Sequence, residues 1–226
     1  MLSDYELINR LSQAQVRHLV HQDDKQWVLF EDHDYLWLTL DTVVQSIMSK
    51  TEPSKLMLGY HHALLPHLPH HFESIIELGL GGGSLIRYLC DRQPDLKYTC
   101  IEQSQQVIDW FNDYFNPSQC QVKVLAADAC AAITELAPAD VMLCDLFSDF
   151  GSPAFLFDPA FYQACASKFS DTLIINLLPR QQDELDAVIL LVTQQFKQTP
   201  QVIKVENMRN HLIVINKEKP HNIEKN

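Results

Sequence analysis

The chain has no cysteine pair at metal-binding spacing, no basic run and no apolar stretch long enough to cross a bilayer. Its six cysteines, at 90, 100, 120, 130, 144 and 165, stand apart without a CxxC among them. That removes the common zinc and dithiol motifs. Cys100 and Cys144 fall inside apolar runs, where thiols are usually inert, and a reducing, cytoplasmic compartment fits. The longest apolar run covers residues 187–192, far short of the ~20 residues a spanning helix needs, so no membrane association is expected. Lys and Arg number 17 against 29 Asp and Glu, for a formal net charge of −12. No basic stripe is left to neutralise phosphates, so nucleic acid is not an expected partner, whereas cationic small molecules are compatible with the charge. The opening residues, Met1 to Glu6, show no basic segment leading into an apolar one, and no secretory signal is read there. Glycine is scarce too, with six in all, yet four of them fall at positions 79, 81, 82 and 83.

That cluster is the most informative stretch. Ile75-Ile76-Glu77-Leu78-Gly79-Leu80-Gly81-Gly82-Gly83-Ser84 is an apolar run closed by an acidic residue and a glycine turn, and residues 85–91 then read as a helix. At such a junction the chain turns sharply and a ligand approaches its backbone, which a Cβ would obstruct. Nineteen residues beyond Gly83, a second apolar run, Tyr98-Thr99-Cys100-Ile101, ends in Glu102. This spacing puts a carboxylate beside the turn, where it can accept both hydroxyls of a ribose. An adenosine-type ligand is the expectation.

The rest of the chain supplies a frame for that site. Residues 15–20, 26–31 and 35–40 read as a small β-meander, with acidic turns between them. A linker containing Pro53 leads to a helical pattern over 55–65, ended by Pro66 and Pro69. From 74 onward strands (74–79, 97–102, 121–127, 140–145, 172–178) alternate with helices (84–91, 104–115, 129–136, 158–168, 181–196). Asp158-Pro159 makes a good helix start, an N-cap acceptor followed by proline. Such alternation implies a parallel sheet covered on both faces. Residues 201–206 and 211–216 flank a turn and suggest a closing hairpin. The expectation is a doubly wound, mostly parallel α/β sheet of the Rossmann-like methyltransferase type, with an antiparallel last strand. A small unit, 1–52, precedes the main domain, 53–226.

In doubly wound sheets ligands sit at the carboxyl ends of the strands. Four successive strand ends here carry glycines or carboxylates: the glycine turn, Glu102, Asp128, and the run Asp145-Leu146-Phe147-Ser148-Asp149. A lone Asp after a strand is mostly an N-cap, but several on one edge favour a site. Asp128 can accept from an adenine amino group, cap the helix that follows, or do both. Asp145, delivered rigidly by Val141-Met142-Leu143-Cys144, is the candidate reactive carboxylate. His61, His62, His67, His70 and His71 invite a metal reading, but Pro66 and Pro69 break any His-x-x-x-His face. They are read as a histidine-rich surface connection without a metal. Trp27, Tyr35 and Trp37 are expected to pack or to meet another subunit.

The order of these features resembles the spermidine synthase-like (polyamine aminopropyltransferase) family, a branch of the S-adenosylmethionine-dependent transferases. The resemblance covers about residues 26 to 165. Leu40-Asp41-Thr42-Val43-Val44-Gln45 is similar to the family's Leu-Asp-Gly-Val-Val-Gln. Tyr60-His61 matches the start of Tyr-His-Glu-Met, with His62 in place of Glu. Asp128 falls in Gly-Asp-Gly/Ala, and Asp145 on the first Asp of Asp-Ser-x-Asp-Pro, whose carboxylate orients and deprotonates the attacking amine. The resemblance implies Gln45, Gly79, Gly81, Gly82, Gly83, Glu102 and Asp128 around S-adenosylmethionine or its decarboxylated form as co-substrate. It implies Tyr60, His61 and Asp149 around a small cationic amine, no metal, and a homodimer. The chain also departs from the pattern. Gly81 stands where the family's turn has Asp, Ser148 holds the place of the second acidic residue with Asp149 after it, and the C-terminal part is short.

These departures bear on which group moves. The family's loop Asp faces the free amino group of the decarboxylated nucleotide and would repel the carboxylate of intact S-adenosylmethionine. Gly81 removes that repulsion. Aminopropyl transfer to a small amine is the leading expectation on resemblance, with methyl transfer the alternative on electrostatics. A non-catalytic nucleotide-binding relative is a further alternative. A nicotinamide-dependent oxidoreductase fits less well, because Ser84 replaces the third glycine of Gly-x-Gly-x-x-Gly and the last strand is antiparallel.

Overall fold

Two sheets share the chain in a computed structural model that describes residues 4–22, 25–147 and 151–217. The first follows a short helix, α1 (Asp4–Arg10), and is an antiparallel meander of β1 (Gln15–Gln22), β2 (Lys25–Glu31), β3 (Tyr35–Leu40) and β4 (Val43–Ser49). The sequence reading stopped this meander at three strands. The fourth returns through a tight turn at Asp41, whose φ is +51°, and Asp41 accepts the Gln26 N–H across the meander at 2.9 Å. Asp-Thr is a weak hairpin signal, so β4 was hidden in what reads as a linker.

The second sheet has seven strands in the order β10-β11-β9-β8-β5-β6-β7. They are β5 (Ser74–Leu78), β6 (Lys97–Glu102), β7 (Val122–Ala126), β8 (Ala139–Cys144), β9 (Phe169–Leu177), β10 (Gln201–Lys204) and β11 (His211–Asn216). Strands β5 to β9 are parallel, and β11 runs antiparallel to both β9 and β10. This is the expected doubly wound sheet with an antiparallel last strand. The helices are α2 (Gly59–Leu64), α3 (Ser84–Arg92), α4 (Gln105–Trp110), α5 (Ala129–Ile133), α6 (Pro159–Cys165) and α7 (Gln182–Phe196). The stretch expected as one helix over 104–115 is α4 followed by a π-helical turn, Phe111–Phe115. Three helix starts use side-chain acceptors: Ser104, Asp128 and Asp158 bond the N–H of Val107, Ala131 and Ala160, each satisfying a donor the helix cannot.

Strand alternation sorts the core onto two faces. Val141 and Leu143 face a cluster with α3, α4 and the meander residues Leu29, Leu36, Leu38 and Met48. Met142 and Cys144 face α5, α6 and α7. The meander thus packs over the first face of the large sheet, on the side from which β4 reaches the glycine turn. Trp37 lies buried against Phe30, their rings stacked at 5.4 Å. No helix among the described residues is long and apolar enough to cross a membrane.

Candidate functional site

β5 pairs with β6 on one side and β8 on the other, and the chain leaves these strands in opposite directions. A crevice therefore opens at their carboxyl ends. The turn of residues 79–83 fills its floor. Gly79 has φ +99°, and a Cβ there would stand 2.1 Å from the carbonyl oxygen of Asp145. Only glycine lets β8 end against the turn. Cβ atoms at Gly82 and Gly83 would strike Ser46 Oγ at 2.5 Å and the Phe111 ring at 2.3 Å. Protein packing, rather than ligand approach, thus requires glycine at these two positions. Gly81 is the open one, its nearest neighbour being the Gln45 carbonyl, 3.7 Å from an added Cβ. Helix α3 starts at Gly83 with no side-chain cap, so no side chain occupies its positive end.

Glu102 closes β6 beside this turn. The Ser104 N–H donates to its Oε1 at 2.8 Å and the Leu80 N–H to its Oε2 at 3.2 Å. Burial pushes its carboxyl pKa up, against these backbone bonds. Each carboxylate oxygen keeps a lone pair for a further donor, so the group can accept two neighbouring hydroxyls.

Asp145 closes β8 on the other side of the turn, and its N–H bonds the Leu78 carbonyl at 2.9 Å. The Tyr60 hydroxyl, from α2, donates to Oδ2 at 2.7 Å, and the Asn176 amide, from β9, donates to Oδ1 at 2.7 Å. Asn176 is itself held by the Asn210 amide, which donates to its side-chain oxygen at 2.8 Å. Burial raises the Asp145 pKa, while the bonds from Asn176 and Tyr60 lower it. The result is a carboxylate with fixed orientation and raised basicity.

Three participants were not singled out from the sequence. Glu77, within β5, is only 5% exposed and takes the Tyr98 hydroxyl at 2.8 Å. Burial, opposed by that bond and reinforced by Asp145, pushes its pKa up to about 8, so it is mostly protonated at neutral pH. Asn176 and Asn210 are both buried. Each is a lone polar residue in or beside an apolar strand, and that was the available signal.

The structure brings Gln45, Gly79, Gly81, Gly82, Gly83, Glu102, Tyr60 and Asp145 together around one crevice. Asp128, at the end of the next strand, is exposed, and its Oδ1 caps α5 through the Ala131 N–H at 2.9 Å. His61 departs from the expected surface connection. It is 4% exposed and lies against the Tyr60 ring, centroids 4.0 Å apart, because α2 turns that face into the core. Burial pushes its pKa down to about 3, so it is neutral. Its neighbour His62 bonds the Leu56 carbonyl at 3.0 Å. Asp149, expected near the amine, lies outside the described residues.

No family model matches the chain. Over 144 residues the chain is 31% identical to the polyamine aminopropyltransferase of Neisseria meningitidis serogroup A, across 60% of this chain and 53% of that one. Over that stretch the chain is similar in sequence to polyamine aminopropyltransferases. It spans about half the length of the curated aminopropyltransferases it matches. Among solved structures, a probable spermidine synthase from Corynebacterium glutamicum superposes with TM-score 0.72 at 17% identity, over 89% of this chain and 80% of that one. Human methyltransferase-like protein 13 in complex with SAH superposes with TM-score 0.61 at 25% identity, over 74% of this chain and 85% of that one.

Proposed function

We propose that the protein is a transferase that binds the decarboxylated form of S-adenosylmethionine and moves its aminopropyl group to a small amine. The observation that supports this best is Asp145, clamped by Tyr60 and Asn176 within contact of the glycine turn, with Glu102 on the other flank. Glu102 takes the ribose hydroxyls, the turn passes beneath the sugar and sulfur, and Asp128 is within the strand-end row for the adenine. The amine nitrogen attacks the carbon bonded to the positively charged sulfur. A C–N bond forms, the C–S bond breaks, and its electron pair stays on sulfur as a neutral thioether. Because an alkyl ammonium has a pKa near ~10, the amine must first lose a proton, and Asp145 accepts it. Such general-base help contributes about 10²–10⁴ in rate, and alignment of the two reactants adds more. Tyr60 and Asn176 each occupy one lone pair of the carboxylate, leaving the others for the amine. Asp149 is a second carboxylate for the amine's far end, and His61 stiffens Tyr60 from behind.

A second reading, methyl transfer from intact S-adenosylmethionine, is favoured by one feature. Gly81 puts no carboxylate on the open side of the turn, so an anionic methionyl arm meets backbone instead of a like charge. The thioether product separates the two. Incubation with both nucleotides and a panel of linear amines would release 5′-methylthioadenosine for aminopropyl transfer, or S-adenosylhomocysteine for methyl transfer. Release of neither from any amine would remove the transferase reading and leave a nucleotide-binding relative.

A further inference from the structure

Arg87 is 1% exposed, and none of the ion pairs among the described residues involves it. Its guanidinium donates to the carbonyls of Pro53 at 2.7 Å, Phe115 at 2.9 Å, and Gly82. The hydrogen bonds satisfy its donors, but they do not neutralise its charge, and a buried unpaired charge is costly. An anion-forming group near enough to act on that charge is the thiol of Cys120. One turn beyond Arg87 on α3, Cys90 shares a hydrogen bond with that thiol. Both cysteines are half-buried, and they line one cavity of about 220 Å³ with Arg87, Asp91, Gln119 and Gln121. The backbone holds Cys120 in place, since Asn116 Oδ1 accepts its N–H at 2.8 Å and Gln119 before it sits at φ +51°.

We propose that Cys90 and Cys120 form a thiol–disulfide exchange site that reacts with small-molecule disulfides. The Cys120 thiolate attacks one sulfur of the small disulfide, forming a mixed disulfide and expelling a thiolate that takes up a proton. Cys90 then gives its proton to solvent and attacks Cys120 Sγ, closing a Cys90–Cys120 bond and expelling the second small thiolate. Two protein thiols are oxidised and one small disulfide is reduced to two thiols. The roles follow from the surroundings. The hydrogen bond from Cys90 and the charge of Arg87 pull the Cys120 pKa down, against burial and Asp91, while the same hydrogen bond pushes Cys90 up. Burial raises Cys100, Cys130, Cys144 and Cys165, which keeps them as unreactive thiols.

Oxidation also reaches the glycine turn. The disulfide removes the thiolate that balances Arg87, and Arg87 is what ties the Gly82 carbonyl to Phe115. The closed pair is therefore a state with a loosened turn. The exchange itself does not depend on the proposed nucleotide site.

The test treats the reduced full chain with oxidised glutathione at neutral pH, blocks free thiols with N-ethylmaleimide and maps the peptides by mass spectrometry. The expected product is a Cys90–Cys120 linked peptide. Cys90→Ala should stop at a stable glutathione adduct on Cys120, and Cys120→Ser should give neither product. Adducts that begin at Cys130, or a Cys120 that is fully blocked while other cysteines react, would overturn the proposal. For the coupling, amide hydrogen exchange of residues 80–84 should quicken by about threefold to tenfold in the oxidised form, and unchanged exchange would overturn that part. Neither readout uses a nucleotide, so failure here is distinguishable from failure of the transferase reading.

Discussion

Glu102 and Asp145 close the two strands that flank β5, yet they are held in opposite ways. Glu102 is gripped by backbone N–H groups from Leu80 and Ser104, the second only two residues away. Asp145 is gripped by side chains from remote elements, Tyr60 lying 85 residues away and Asn176 lying 31. A grip made of backbone survives substitution of almost any side chain. A grip made of two side chains is lost with either one, and can be retuned as easily. On the proposed function, the nucleotide half of the crevice is therefore the fixed half. The amine half is then where this chain has room to diverge from the aminopropyltransferases it resembles.

The largest expected effect is at the side-chain-held carboxylate. Asp145→Asn should cut turnover by about 10²–10⁴ while nucleotide affinity moves by less than about threefold, because the shape and both hydrogen-bond partners remain. A steady-state assay beside a binding titration checks the split. Comparable losses in both would mean the two halves are not separate.

Glu77 tests whether the floor between them carries a proton. Its pKa is about 8 in the fold against an ordinary 4.5. The stability tied to that proton is whole below pH 4.5, declines as the unfolded chain alone ionises, and is gone above about 8. His61 runs the other way, since its pKa of about 3 against 6.5 costs stability only as pH falls below 6.5. Between pH 6.5 and 8, then, the difference between the wild type and Glu77→Gln isolates Glu77. Urea unfolding should show the wild type losing roughly 2 kcal/mol more than the variant over that window. Parallel curves would place an ionised carboxylate there.

Gly81→Asp sharpens the comparison from the nucleotide side. The open space around an added Cβ accommodates the side chain, and Asp tolerates left-handed backbone better than most residues. The variant should shift preference by about tenfold toward decarboxylated S-adenosylmethionine over the intact form, read as a ratio of dissociation constants. An unchanged ratio would show that the turn does not face the variable arm.

The smallest effect is at the outer ring of the amine half. Asn210→Ala frees Asn176 to rotate, at a cost of about 1 kcal/mol. It should lower kcat by roughly fivefold with KM for the nucleotide unchanged. A purely structural role would lower the melting temperature and leave kcat alone.

The same contrast explains what could be read from the chain alone. The glycine turn, Glu102 as a strand end and the Asp128 and Asp158 caps were legible, because they lie in spacings of a few residues to one βαβ unit. The packing that requires Gly82 and Gly83 depends instead on the remote Ser46 and Phe111. Asp145 was legible as a strand end. Its clamp was not, since Tyr60, Asn176 and Asn210 meet only through the sheet order β11-β9-β8 and the placement of α2. Glu77 was visible as an acid in an apolar run, but its protonation depends on burial and on Tyr98. In the histidine-rich stretch only His61 departs from the surface reading, because α2 turns that face inward, while His62, His70 and His71 are exposed. β4 was missed for want of a recognisable turn.

The most direct test of the central claim is calorimetry with 5′-methylthioadenosine, which carries the base, sugar and sulfur without the transferable arm. The account predicts one saturable site per chain in both the wild type and Asp145→Asn, weakened about tenfold to a hundredfold in Glu102→Gln by loss of charged hydrogen bonds. Absence of binding in the wild type, or equal affinity in all three proteins, would contradict it.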